Sequence, residues 1–316
     1  MKMQFLSKAA LCAAGASLAS LSALAAPPKP DHVIIVIEEN HSYNEILGAS
    51  SPATWIKALA ASGASFTNSF AIEHPSQPNY LDLYSGANQG TTGSDSFPAN
   101  TPFTTANLGA QLRSAGYSFA GYSQGLPSVG STVNTSGNYA HKHNPWANWQ
   151  SSSPTGNQLP SSTNQPFTNF PTDYTTLPTV SFVVPDLQND MHDGTIAAGD
   201  TWCKNNLDGY AQWAATHNSL LILTFDEDDS SESNQIATIF SGAKVKPGQY
   251  TETINHYSVL ATVEDMYGLS RIGGAVGKTA ITDAFVVPEP AMIVWSLAAI
   301  AMMRTRGRGK RRARIC

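Results

Sequence analysis

Cysteine, basic side chains and long apolar runs are all scarce in this sequence, and each scarcity excludes something. Three of the 316 residues are cysteines: Cys12, Cys203 and Cys316. Only Cys203 falls in the central part of the chain, so no internal disulfide can staple that part, even in an oxidising compartment. Residues 26–287 hold nine Lys or Arg against 22 Asp or Glu. Their formal charge is −13, against −5 for the whole chain. Such a body repels nucleic acid and anionic membranes at long range, and no nucleic-acid partner is expected. Any anionic ligand needs a local cation, and a bound divalent metal is the simplest one. The apolar run Ala291–Met303 has 13 residues, where a full membrane span takes about 17–25. No internal repeat is evident, and no composition break marks a second domain.

The two ends read differently from the body. Residues 1–25 carry Lys2 and Lys8, then an Ala-rich apolar stretch closing on Ala23-Leu24-Ala25. That is the pattern of a secretory signal peptide, expected to be cut after Ala25. Residues 288–316 begin Pro-Glu-Pro, continue through the short apolar run, and end with seven Lys or Arg between Arg304 and Arg314. A plain transmembrane helix anchor is one reading, with the basic end cytoplasmic and the body facing outward. The order of features also resembles the PEP-CTERM sorting signal of Gram-negative bacteria. That resemblance implies export across the inner membrane, transient inner-membrane contact and processing by an exosortase-type enzyme. The body would then be extracellular or on the cell surface. Residues 26–287 are long enough for one domain with a substantial core.

Within the body, short apolar runs alternate with helical patterns. "HVIIVIEEN" (32–40) is β-branched and continuous, as suits a strand buried on both faces. "YSFAGYSQ" (117–124), "TVSFVVPD" (179–186), "SLLILTFDEDD" (219–229) and "QIATIFSG" (235–242) read as further strands. "TWIKALAASG" (54–63) and "NLGAQLRSAG" (107–116) are helical and stop at a glycine. "GDTWCKNNLDGYAQWAATHN" (199–218) and "HYSVLATVEDMYGL" (256–269) are longer helices. The alternation predicts an α/β fold with a mostly parallel sheet covered by helices. Residues 123–178 are rich in Ser, Thr, Asn, Gly and Pro, and most of them read as a long surface insertion.

Polar residues gather at the predicted strand ends. The first strand leaves through Glu38, Glu39 and Asn40. The third ends on Asp186, with Asp190, His192 and Asp193 just beyond. The fourth ends on Asp226 and Glu227. Ligands of open α/β sheets bind outside these carboxyl ends. Carboxylates crowded on one rim repel each other unless protonated or bridged by a metal. His74, His143, His192 and His256 stand in polar or turn contexts nearby. Ser76 sits between Pro75 and Pro78, at the start of a short helical pattern that ends at Gly86. A serine there is ordinarily a cap. A helix mouth also attracts phosphate, and a metal can make such a hydroxyl nucleophilic.

These motifs together resemble the phosphoesterase family that holds bacterial acid phosphatases and phospholipases C, within the alkaline-phosphatase-like superfamily. The resemblance rests on "VIIVIEENHSYNEILG", "HPSQPNYLDLYSG", "HKHNPW", "PDLQNDMHDGTIAAGDTW", "LILTFDEDD" and "HYSVLATVEDMYGL". It implies a divalent metal held by Glu39, Asn40, Ser76, Asp226 and Glu227, with Ser76 as the nucleophile. It implies a phosphoserine intermediate that water hydrolyses. His143 or His192 would assist phosphate binding or protonate the leaving group. A second metal, if bound, would draw on Asp186, Asp190 or His192, and His256. The strand that ends in Asp226-Glu227 carries Asp-His in many members of the superfamily, which leaves metal number and identity open. A secreted, acid-phosphatase-like phosphomonoesterase is the leading expectation. A phospholipase C acting on a lipid diester is the alternative, disfavoured by the acidic charge and by the lack of a large extra docking domain. A third reading is a non-catalytic exported surface or matrix protein, against which the intact Ser76 and acidic pairs argue.

Overall fold

The computed structural model describes residues 26–286. The expected signal peptide, residue 287 and the C-terminal sorting segment lie outside the described residues. Among the described residues no helix is long and apolar enough to cross a membrane.

One eight-stranded sheet organises the chain. Its strands are His32–Glu38 (β1), Ala64–Phe66 (β2), Phe119–Ser123 (β3), Asn164–Pro166 (β4), Val180–Val184 (β5), Ser219–Phe225 (β6), Thr238–Ser241 (β7) and Gly248–Tyr250 (β8). The spatial order is β8-β2-β7-β6-β1-β5-β3-β4. From β6 through β4 every pairing is parallel. β7 runs antiparallel to both neighbours. Residues 226–237 contain no helix, so the chain lacks the crossover that a parallel return requires.

The period of two along β1 explains why both faces are covered. Val33, Ile35 and Ile37 point into one apolar cluster, and Ile34 and Val36 into another. The first face is covered by Ser76–Ser85 (α3), Leu108–Ser114 (α4) and His256–Met266 (α6). The second is covered by Thr54–Ser62 (α2) and Ile196–Ala214 (α5), with the single turn Tyr43–Leu47 (α1) beside them. With apolar residues required on both sides, β1 and β6 read as unbroken hydrophobic runs. Five buried β6 residues divide in the same alternating way, Leu220 and Ile222 on one face, Leu221, Leu223 and Phe225 on the other. At the end of α3, Gly86 takes φ 70° and its N–H reaches the Asp82 carbonyl at 2.9 Å. A left-handed cap of this kind suits glycine.

Residues 123–178 are more than a surface insertion. They hold short 3-10 turns and two-residue strands, and Tyr139, Trp146, Trp149 and Leu159 are fully buried. Few aliphatics were needed, because two indoles supply the apolar area. Trp146 lies against Gly121 of β3 so closely that a Cβ at residue 121 would overlap its ring. Its indole N–H donates to Asn164 Oδ1 at 2.9 Å, which satisfies the polar end of a buried ring. The insertion is thereby fixed to the edge of the sheet, close to the carboxyl ends of the strands.

Candidate active site

The main-chain pairing of β1 continues past its last residue. The Glu39 N–H donates to the Asp190 carbonyl at 2.8 Å, and the Asp226 N–H to the Glu38 carbonyl at 2.9 Å. Three chain segments therefore leave the sheet side by side. Asn40 then turns the chain with φ 53°, and its N–H donates to Asp226 Oδ1 at 3.1 Å. The start of α3 faces this rim. Ser76 is its first residue, and Pro75 precedes it without any side-chain cap bond. The Ser76 hydroxyl is thus free of capping. It lies 2.9 Å from Glu39 Oε2 and 3.1 Å from Glu227 Oε1, and Asp226 borders the same hydroxyl.

This side of the site is dense with negative charge. Ser76, Glu39, Asp226 and Glu227 are all buried. Burial raises the pKa of Asp226 well above the carboxylate range, and the charges of Glu39 and Glu227 push the same way. Glu227 is pushed up to about 7 by burial, opposed by His74 and reinforced by Glu39. The His74 ring pairs with Glu227 and lies 3.4 Å from Asp228. Glu39 goes the other way. Burial would raise it, but the His143 imidazolium overcomes that and holds it at about 2.

The opposite side is cationic. His143 Nε2 is 2.9 Å from Glu39 Oε1, and Nδ1 is 3.1 Å from Asp190 Oδ2. Burial alone would lower its pKa; the two carboxylates instead raise it to about 9. Tyr80 stacks on the ring, centroids 5.1 Å apart at 9°. Lys142 Nζ donates to Asp95 Oδ2 at 2.8 Å and to His192 Nε2 at 3.1 Å. His192 Nδ1 then serves as donor to Asp193 Oδ1 at 2.8 Å. Both His192 nitrogens are engaged, whereas His143 Nε2 faces Glu39 Oε1 as an ion pair and has no hydrogen-bond partner among the described residues.

Residues 49–270 match the phosphoesterase family. The chain belongs to that family. It is a hydrolase of phosphoric esters. A phosphatidylinositol-3-phosphatase of Mycobacterium tuberculosis is 49% identical over 263 residues, covering 83% of this chain and 85% of that protein. An acid phosphatase of Aspergillus fumigatus is 32% identical over 243 residues, 69% of this chain and 51% of its own length. This chain therefore spans about half of that fungal relative. Among solved structures, a Vibrio parahaemolyticus protein in the alkaline phosphatase superfamily aligns with a TM-score of 0.56 at 12% identity, covering 84% of this chain and 74% of that one. The phosphonate monoester hydrolase of Silicibacter pomeroyi aligns at 0.52 and 10%, covering 83% and 78%. At such identities the likeness concerns the fold, which is the alkaline-phosphatase-like α/β fold.

In this phosphoesterase the expected site residues separate into those that meet and those that do not. Glu39, Ser76, Asp226 and Glu227 converge, and the Asn40 main chain joins them. His143 and Asp190 form the adjoining pair, with His192 beside them. Asp186 is elsewhere: its carboxylate accepts from the Gln188 and Asn189 amides and from Asn189 Nδ2, holding a turn. His256 lies beneath the site. Its Nε2 donates to the Asp226 carbonyl at 2.7 Å, and burial lowers its pKa to about 4. Asp190 braces His143, and His256 uses only Nε2 on main chain, its Nδ1 being buried without a hydrogen-bond partner among the described residues. Sequence reasoning passed over Lys142, Asp95 and Tyr80. Lys142 stands inside "HKH", a basic residue in a strongly acidic body, and that contrast was a usable signal. Asp95, in "GSDSF", offered none.

The donor set fits a divalent metal. Three buried carboxylates surround one hydroxyl, and Asp226 Oδ2 is buried without a hydrogen-bond partner among the described residues. Crowded anions of this kind must be protonated or bridged by a cation, and all-oxygen ligands suit a hard one. Glu39, His143 and His192 also bring ligand atoms within 4.8 Å of one another. The Lys142 ammonium at His192 Nε2 already occupies that donor, so the carboxylate side is the better seat.

Proposed function

We propose that this chain is an exported, metal-dependent, acid-phosphatase-like phosphomonoesterase that works through a phosphoserine at Ser76. The observation that carries this reading is the contact of the buried, uncapped Ser76 hydroxyl with Glu39 and Glu227 at once. Glu39, Asp226, Glu227 and Ser76 would hold a divalent ion, with Asn40 beside them. Such an ion lowers the pKa of a bound hydroxyl and neutralises phosphoryl charge. The Ser76 proton leaves toward the carboxylate oxygens that it already faces. The serine oxygen forms a bond to phosphorus while the ester oxygen departs, and water later cleaves the phosphoserine to inorganic phosphate. His143, stacked on Tyr80 and braced by Asp190, keeps Glu39 charged and aimed. Phosphoryl transfer depends mainly on such positioning and charge.

The bacterial and fungal relatives are named phosphatases, which supports a monoester substrate over the diester of a phospholipase C. The 49% identity to the phosphatidylinositol phosphatase makes a phosphorylated lipid headgroup one substrate to assay. Residues 1–25 and 288–316 would serve export and sorting, with an exosortase-type enzyme acting on the latter. Hydrolysis of a monoester and a diester by the purified protein, before and after chelation, tests the reading. Monoester turnover lost on chelation and restored by a divalent metal is expected. A folded Ser76→Ala variant should lose activity. Near-normal turnover in that variant would refute the nucleophile assignment.

A further inference from the structure

We propose that Lys142 is the cation that grips the substrate's phosphoryl oxygens, and that Asp95 is a positioning residue holding Lys142 in register with the nucleophile. The inference rests on the reading of Ser76 as nucleophile.

An ammonium group has three donors. Lys142 spends one on Asp95 Oδ2 and one on His192 Nε2. The third has no partner among the described residues. Both His192 nitrogens are engaged, and His143 Nε2 is turned to Glu39 in an ion pair, so this ammonium N–H is a cationic donor open to a phosphoryl oxygen. Lys142 is half-buried, and the charges of Glu39 and Asp226 both act on it, so it stands within the field of the carboxylate side. The other eight Lys or Arg of the body lie elsewhere in the chain; Arg271, for example, is paired with Asp265.

Asp95 connects this cation to the residue after the nucleophile. Its Oδ2 holds Lys142, and its Oδ1 accepts from the Gln77 N–H at 2.9 Å. The Gln77 side chain clasps the same loop, with Nε2 donating to the Ser96 carbonyl at 2.7 Å and to the Ser94 carbonyl at 3.2 Å. Residues 94–96 are therefore fastened to the first turn of α3 by three bonds. A carboxylate with one oxygen on each partner sets the distance between lysine and serine. Its charge also keeps the lysine protonated, which suits phosphate binding and not proton donation.

The test uses the full-length, metal-loaded enzyme with inorganic phosphate as probe. Phosphate inhibition is measured for wild type, Lys142→Met, Lys142→Arg, Asp95→Asn and the double variant. Calorimetric phosphate binding is measured in the Ser76→Ala background, and metal content is checked throughout. Loss of one charge-assisted bond to phosphate is worth roughly 10- to 100-fold. Lys142→Met should weaken phosphate and raise KM by about that factor with metal content unchanged, and Lys142→Arg should recover part of it. Asp95→Asn should weaken phosphate less, and add nothing to Lys142→Met. If Lys142→Met does not fold, Asp95→Asn and Lys142→Arg still report on phosphate affinity. Unaltered phosphate affinity in folded Lys142 variants, or full additivity of the two substitutions, overturns the inference. Persistent turnover in Ser76→Ala refutes the nucleophile reading instead, and the two failures are therefore distinct.

Discussion

The strand ends and residues 123–178 supply opposite charges to one site, and they do so by different means. Glu39 and Asp226 leave the sheet from neighbouring parallel strands, so ladder hydrogen bonds fix their spacing. Lys142 and His143 leave from a segment with almost no regular structure. Their placement depends on Trp146, three residues beyond His143, being seated on Gly121, and on carboxylates that reach out to them. Regular structure can hold like charges together because its backbone bonds oppose their repulsion. Irregular structure has no such ladder, and it is held here by attraction between unlike charges and by large aromatic anchors.

The sharpest way to break the comparison is on the anionic side. Asp226→Asn replaces a charged ligand with a neutral amide, a poorer partner for a hard cation. Metal and turnover should be lost together, by more than about 100-fold, since an outer-shell partner alone can cost that much. Elemental analysis alongside kinetics decides it; full metal content with full activity would move the site away from β6. On the cationic side, His143→Gln should retain most of the metal and lower kcat by about 10- to 100-fold, as expected for a residue that orients a ligand. A complete loss of metal would make His143 a ligand, and the division between the two sides would fail.

Two smaller effects concern what holds each region. Gly121→Ala drives a Cβ into the Trp146 ring. Overpacking of this kind costs about 1–3 kcal/mol, to be read from urea midpoints, and kcat should fall with it because His143 shares the displaced segment. Stability unchanged within about 0.5 kcal/mol would mean that Trp146 has room to move. Glu264 serves as a control, a buried acid outside the cluster. Burial raises its pKa to about 8, opposed by the Ile272 amide and by Arg271. A folded pKa above the unfolded one makes the native state bind more protons. Its penalty is therefore absent below about pH 4.5 and grows as pH rises to about 8. Glu264→Gln, which keeps an acceptor for the Ile272 amide, should flatten the fall in stability across that window. Denaturation profiles at the two ends of the window that match wild type would remove Glu264 from the account.

The same contrast explains what could be read in the amino-acid sequence. β1 and β6 were legible because strands buried on both faces must be continuously apolar. Their terminal acids were legible because strand ends point at ligand sites. The α3 helix was legible from Pro75, Pro78 and Gly86, whereas the contact of Ser76 with Glu39, on which the proposed nucleophile rests, was not. The reversed direction of β7 was hidden, since direction depends on the connection and not on the strand. Residues 123–178 misled because composition counts aliphatics, whereas Trp146 and Trp149 do the burying. Lys142 and Asp95 meet across 47 positions of chain, a distance over which no periodicity operates.

The hydrogen bond from the Asn40 amide to the Asp226 carboxylate joins residues 186 positions apart. It has a consequence for the order of events during folding. The seat proposed for the ion does not exist in any local segment, and it is assembled only when β6 has found β1. Contacts so distant in sequence are slow to form. An ion that recognises this seat binds the native state and not the open chain, so its affinity adds to the native side of the equilibrium. If the rim closes after the rate-limiting step, added metal will slow unfolding while leaving the refolding rate as it was. The metal would then act as a latch on a finished sheet, and starvation for it would shorten the lifetime of the fold before it altered the path by which the chain folds.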